Sequence, residues 1–230
     1  DIMYLNFTIL EDGNVSVKIK EDYKNSIESI TIPKTYNGRM VTTIDENGFS
    51  ECKFLKEVNM PNSITTIGKL SFYMCSALEK LSLPDSVITI GDNAFTYCSS
   101  LTEIRLSQNL KSIGSSSFTI CSSLSEVKLP EGLEEIGYGA FSDTNIESIT
   151  LPASLKSIGP RAFGYSVSYI DNVYFEDVNG WYRYLQTDEP EDAKAVDPAS
   201  ISDPVNAAKL LRDYVRHYGN NGYDVYTYYN

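Results

Sequence analysis

A twenty-three-residue block, Ile-Gly-x3-Phe-x2-Cys-x2-Leu-x2-Val-x-Leu-Pro, recurs along this 230-residue chain. A fixed period of that length specifies a stack of equivalent coils, because each copy is one supersecondary unit that touches only its neighbours. The frame is clearest at Ile67-Gly68 with Phe72, Cys75, Leu78, Leu81, Leu83 and Pro84. It returns at Ile90-Gly91 with Phe95 and Cys98, at Ile113-Gly114 with Phe118 and Cys121, and at Ile136-Gly137 with Phe141, where one residue is deleted before Ile149. Ile158-Gly159 with Phe163 starts a partial copy. Upstream, Ile44, Phe49, Cys52 and Leu55 fit with Asp45 in the Gly slot. Ile30-Thr31-Ile32-Pro33 supplies an earlier strand and Val173-Tyr174-Phe175 the last, giving about seven coils.

Each slot has a physical role. In Leu81-Ser82-Leu83-Pro84 the two-residue alternation turns both Leu side chains inward, and Pro ends the strand because it has no N–H for the next rung. Gly after Ile is expected to supply a positive φ, opening a tight helical turn around the back of the coil. The residue before each Phe is always small (Gly48, Ser71, Ala94, Ser117, Ala140 and Ala162), as a neighbouring backbone about 5 Å away demands. One coil buries too little apolar surface to offset the ordering of its own backbone, so stacking must supply the difference.

The expectation is a single repeat solenoid of α/β type, with short parallel strands and helical turns over residues 27–178. An N-terminal β-hairpin cap takes residues 1–26: Leu5–Ile9 and Val15–Ile19 alternate apolar and polar about the turn-forming Glu11-Asp12-Gly13-Asn14, and the hairpin's apolar face can cover the first coil. Residues 179–230 form a C-terminal cap, with eleven of the seventeen Tyr lying from Tyr165 onward beside the lone Trp181. Asp203-Pro204 followed by Val205, Ala208, Leu211 and Tyr214 or Val215 predicts an N-capped amphipathic helix near 204–217. The polar, acidic stretch from Thr187 to Asp203 is expected to be an exposed loop.

A formal charge of −12 argues against nucleic acid or an anionic membrane as partner, since both require a basic footprint. No apolar run is long enough to span a membrane, and no signal sequence is present in this chain. Cys52, Cys75, Cys98 and Cys121 stand one repeat apart, which is not metal-site spacing. Side chains stacked in register point the same way and would form a strained disulfide, so buried free thiols are expected, with Thr144 taking the same small slot in the next coil.

The parts of an active site are missing. The only His, His217, falls near the end of the expected cap helix without a nucleophile partner, and the Gly residues are dispersed at the repeat interval and do not form a phosphate loop. Asp188-Glu189-Pro190-Glu191-Asp192 lacks calcium-loop spacing and reads as solvated chain. No catalytic residue, cofactor or metal is expected. What remains is the outward face of the front strands. Asn59, Ser82, Arg105, Lys128 and Thr150 form one row; Glu57, Lys80, Glu103, Glu126 and Ser148 form a second beside it, and rows of this kind are the usual binding surfaces of solenoids. Arg105 above Lys128 and Glu103 above Glu126 place like charges one rung apart, with the two rows able to compensate each other. The Tyr-rich tail with Trp181 is a second candidate, able to stack on sugars as well as to seal the last coil.

The Ile-Gly, small-Phe, Cys, Leu and Leu-Pro landmarks resemble the BspA-like leucine-rich repeats of bacterial surface and secreted proteins, over most of residues 27–178. Gly180-Trp181-Tyr182, Asp203-Pro204 and the Tyr-rich end are similar to the C-terminal cap of some members. The resemblance implies a non-enzymatic protein, located outside the cell or at its surface in host-associated bacteria. It would bind a protein or a glycan, such as host extracellular matrix or another bacterium. It carries over no binding residue, and it leaves the oligomeric state open. The expected function is an adhesion or binding module acting through the rows Glu57/Asn59, Lys80/Ser82, Glu103/Arg105 and Glu126/Lys128. The alternatives are an architectural spacer or cap domain of a larger surface protein and a carbohydrate-binding module built on the C-terminal aromatics.

Overall fold

In the computed structural model, residues 1–159, 161–164, 170–177, 181–185, 194–195, 198–208 and 224–228 are described. The chain winds as a solenoid whose core is one continuous column of buried Leu, Ile, Val, Phe and Cys from Leu5 to Val173. The strands begin with β1 (Leu5–Ile9) and β2 (Val15–Ile19), followed by β3 (Ser29–Thr31), β4 (Thr35–Tyr36), β5 (Arg39–Ile44) and β6 (Glu57–Asn59). In the regular coils each Leu-x-Leu strand is followed by a two-residue strand ending at the Ile of Ile-Gly. These are β7 (Thr66–Ile67), β8 (Lys80–Ser82), β9 (Thr89–Ile90), β10 (Glu103–Arg105), β11 (Ser112–Ile113), β12 (Glu135–Ile136), β13 (Ser148–Leu151), β14 (Ser157–Ile158) and β15 (Asn172–Phe175).

The continuous ladder does not run along the Leu-x-Leu strands, where the two-residue alternation had placed the sheet. It runs β1-β2-β5-β7-β9-β11-β12-β14 through the residues just before each Gly, as one face of a 12-stranded sheet. Ile44, Ile67, Ile90, Ile113, Ile136 and Ile158 are rungs of that ladder in strict register and are all buried. Two residues are too short for alternation to show, so this second face was not legible as strand. The Leu-x-Leu strands instead form three separate pairs, β3–β6, β8–β10 and β13–β15, with Glu103 and Glu126 joined by an isolated parallel bridge.

The third wall of each coil is a run of turns and not a helix. Here every second backbone N–H donates to the following coil: Asn93, Phe95 and Tyr97 bond the carbonyls of Ser115, Ser117 and Thr119 at 2.8, 2.7 and 3.0 Å. To aim alternate amides this way the backbone enters the left-handed region at Asn93 (φ 55°) and Tyr97 (φ 64°), and at the same places in neighbouring coils. At Ile120, a β-branched residue with φ 60°, this costs about 1–2 kcal/mol, offset by its bond to the Ser142 carbonyl. The Gly of Ile-Gly is not needed for positive φ, contrary to expectation. A Cβ on Gly114 would lie 2.5 Å from the Gly91 carbonyl carbon and 2.6 Å from the Asp92 nitrogen. Close approach of successive backbones selects Gly, and Asp45 escapes the requirement because its neighbour is hairpin strand β2, not a preceding coil. Inside the wall, Phe49, Phe72, Phe95, Phe118, Phe141 and Phe163 stack nearly parallel, with Phe72 and Phe95 centroids 5.3 Å apart at 4°.

Antiparallel strands cover both ends of the long ladder. β1 and β2 form a hairpin with a three-residue loop closed by Gly13 at φ 83°, and β2 pairs in parallel with β5, so the hairpin extends the ladder edgewise. At the other end β14 pairs with β18 (Asp224–Tyr228), which pairs with β16 (Trp181–Leu185), which pairs with β17 (Lys194–Ala195). The stretch expected as a loop before Asp203 contains β17 and α1 (Pro198–Ser202). Asp203 then caps a second helical segment at 204–208, its Oδ1 accepting the Asn206 N–H at 2.8 Å, with Ala207 and Ala208 buried. The rest of the expected helix, to 217, lies outside the described residues.

Phe95→Ala should lower stability by about 3–5 kcal/mol, because the stack on either side prevents the cavity from closing. Gly114→Ala should cost about 2 kcal/mol or more, whereas Gly132→Ala, where nothing lies closer than 3.5 Å to the added carbon, should stay within about 0.5 kcal/mol. Urea unfolding of the three variants checks both, and equal midpoints for Gly114→Ala and Gly132→Ala would remove the close-approach explanation.

Candidate functional site

The outward rows occupy the exposed positions of the front strands, and their charges divide into two groups. In the N-terminal half they are consumed internally. Glu57 accepts a bond from Asn59 Nδ2 at 2.9 Å, within its own strand. Lys80 and Glu103, neighbours in one row, pair across β8 and β10 at 2.8 Å. Arg105 turns towards the preceding coil, donating to the Leu83 carbonyl and to the Asp85 carboxylate, both at 2.9 Å. Asp85 also accepts the Gln108 N–H, and it was not legible as a partner because it follows Pro84, outside the alternating strand. Ser82 lies opposite Arg105 in the β8–β10 register. Similar pairs line the neighbouring wall, where Lys156 and then Lys111 hold the Glu134 carboxyl below its ordinary range.

Glu126 and Lys128 are placed differently. No backbone hydrogen bond joins residues 126–129 to 148–151 among the described residues, and a groove of about 670 Å³ occupies the break. Its walls include Glu126, Lys128, Glu131, Glu147, Thr150 and Tyr174. The break coincides with the coil that is one residue shorter, where Asn145 still bonds the Leu124 carbonyl at 2.9 Å before the strands part. Among the described residues, Glu126, Lys128, Glu131 and Glu147 make no ion pair. Tyr174, opposite Thr150 in the β13–β15 register, is 47% exposed. Tyr174 and Glu147 were not among the candidate residues; the deletion before Ile149 was the only sequence signal at this place.

The other candidates separate cleanly. The four Cys are buried and free, and the Sγ of Cys75, Cys98 and Cys121 each donates to the carbonyl of the Phe in the preceding coil at 3.1 Å. The thiol column is therefore a set of short internal bonds between coils. Thr144, in the same slot, bonds the Phe141 carbonyl of its own coil. No group of three or more His, Cys, Asp or Glu suited to a metal ion occurs among the described residues, and no helix there is long and apolar enough to cross a membrane. Trp181, Tyr226 and Tyr228 lie on β16 and β18, but their side chains, together with Tyr223, Tyr229, His217 and the acidic stretch 188–192, fall outside the described residues.

The repeat landmarks, the parallel ladder and the free thiol column together decide the family. Residues 18–118 and 42–170 match the BspA type Leucine rich repeat region in six copies. The chain belongs to that family. It is similar to the crystallised leucine-rich repeat protein of T. pallidum (29% identity, TM-score 0.63, 68% of this chain and 72% of that one). It is also similar to a leucine-rich cell surface protein of Faecalibacterium prausnitzii, at 26% identity and TM-score 0.55, over 77% of this chain and 54% of that one. The pneumococcal vaccine antigen PcpA has the same identity and TM-score, over 77% of this chain and 49% of that one. The chain thus spans about half the length of the latter two proteins. No curated protein matches.

Burial pushes the Cys52 and Cys121 thiols from an ordinary 9.0 up to about 12, and Cys75 and Cys98 well above 9.0. Native protein at pH 8 should therefore leave all four thiols unmodified by a disulfide reagent, and urea should expose all four. Because the folded-state values are raised, the thiols' contribution to stability is complete below pH 9.0 and declines as pH rises from there towards about 12. A native thiol that reacts at the rate of free Cys would contradict the buried column.

Proposed function

We propose that this chain is a non-catalytic binding module of a bacterial surface or secreted protein, holding a protein or glycan partner along its front rows at the groove between residues 126–131 and 147–152. The observation that carries the reading is the contrast along the rows. Glu57, Lys80, Glu103 and Arg105 spend their polar groups on one another or on Asp85 and Asn59, while Glu126, Lys128, Glu131 and Glu147 surround open space with no ion pair among the described residues. Exposed charges without partners keep their full capacity for intermolecular bonds, and an exposed ring such as Tyr174 adds contact area at low entropic cost. Membership in the family, and the names of two relatives as a cell surface protein and a vaccine antigen, support the location. The internal pairing of the N-terminal rows favours a second reading for that half, as an architectural spacer that positions the groove.

Binding to immobilised matrix proteins and a glycan array tests the proposal. A Glu126→Lys/Glu147→Lys variant should weaken binding at least about tenfold, while Lys80→Glu/Glu103→Lys, which preserves the pair, should leave it unchanged. Equal affinity for wild type and the groove variant would move the site elsewhere. Absence of any ligand would favour the spacer.

A further inference from the structure

The N-terminal edge of the long sheet is built to pair with another strand. The hairpin bonds Leu10 N–H to the Asn14 carbonyl at 2.9 Å and Lys20 N–H to the Tyr4 carbonyl at 2.8 Å, at opposite ends of the β1–β2 register. Hydrogen-bonded pairs alternate along an antiparallel ladder, so Tyr4, Asn6, Thr8 and Leu10 face β2, while Leu5, Phe7 and Ile9 direct their backbone groups outward. The Leu5 N–H is taken by the Ile2 carbonyl within the 3-10 turn Ile2–Tyr4, which leaves the Leu5 carbonyl and both backbone groups of Phe7 and Ile9 without a partner among the described residues. Protein edge strands are ordinarily blunted by shortness, charge or Pro. At the far end of this sheet the terminal strand β17 has two residues and contains Lys194. β1 has five residues, none charged and none Pro; its last residue Ile9 is 64% exposed, and Ile2 and Met3 beside it are 52% and 62% exposed.

We infer that β1 is a dimerisation edge, pairing antiparallel with β1 of a second copy of this chain about a two-fold axis through Phe7. The edge is complementary to itself. In that register Phe7 faces Phe7 and exchanges two N–H···O bonds, and Ile9 N–H of each copy meets the Leu5 carbonyl of the other, giving four bonds in all. Asn6 faces Thr8 on the polar side, and no like charges are opposed within the strands. The apolar row Leu5, Phe7 and Ile9, already continuous with Val15, Val17 and Ile19 across the hairpin, runs on into the second copy and covers exposed Ile9. Charge favours the same arrangement. Beyond the strand, Glu11 of one copy comes opposite Met3 of the other, whose carbonyl already holds the Lys20 ammonium at 2.7 Å. Lys20 makes no ion pair among the described residues, so each Glu11 meets a cation that is otherwise unneutralised. The two long sheets would then join into one.

Sedimentation equilibrium from about 1 µM to about 1 mM reads the dimer directly. Wild type should rise towards twice the monomer mass across that range. Ile9→Pro removes only an outward N–H, on an edge where Pro is tolerated, and breaks two of the four bonds by symmetry. It should weaken association by about ten- to a hundredfold with an unchanged thermal midpoint. Glu11→Lys and Lys20→Glu should each weaken the dimer, and the double swap should restore it, an outcome that misfolding cannot mimic. A wild-type chain that stays monomeric throughout, or a dimer indifferent to all of these variants, would overturn the inference. Ligand binding at the groove is measured separately, so either result leaves the functional reading to its own test.

Discussion

Backbone-to-backbone approach of successive coils is the constraint on which the rest of this structure depends. The ladder wall and the turn wall place main chain against main chain from coil to coil, the front wall does so in pairs, and at Gly114 the approach leaves no room even for one carbon. Translation by one coil brings every side chain against its own counterpart, which explains why the slots are so uniform. Phe rings stack well on Phe rings, and a thiol in the Cys slot reaches the carbonyl of the preceding coil. Charged side chains do not stack on themselves favourably. At Lys80 and Glu103 the row alternates sign, and Arg105 turns its charge aside onto Asp85, whereas Glu103 and Glu126 stand as like charges across an isolated bridge.

A stack held together this way has no natural end. Each terminal coil would expose an apolar column and a row of unmade backbone bonds, and both ends of the long ladder are accordingly finished with antiparallel strands, which need no further coil to support them. The two ends are finished unequally. β17 stops after two residues, whereas β1 offers an uncharged edge five residues long.

The groove on the front face lies at one of two interruptions in the pairing of the Leu-x-Leu strands, the other falling between β6 and β8. Where the connection through Thr144 has one residue fewer, no backbone bond joins residues 126–129 to 148–151 among the described residues, and Glu126, Lys128, Glu131 and Glu147 there make no ion pair; β6 and β8 are likewise unpaired, without a deletion between them. Glu126 and Lys128 line open space, whereas Lys80 and Arg105 are paired internally, although all four occupy equivalent slots in sequence.

By itself the sequence determined the solenoid, its period, the buried Phe and Cys columns and the hairpin pattern at residues 5–19, because those features repeat or alternate and packing demands the same residue type at each copy. It did not reveal that the continuous ladder follows the two-residue strands before each Gly, since two residues are too few to show a period. Nor did it show that Gly serves close approach instead of positive φ, because both uses select the same residue. The pairing of Arg105 with Asp85, the break between residues 126–129 and 148–151, and the outward phase of Leu5, Phe7 and Ile9 were decided only by tertiary structure. Each depends on which neighbouring coil or strand a group faces, and that neighbour is set by the stacking of whole coils, not by the residues beside it in the chain.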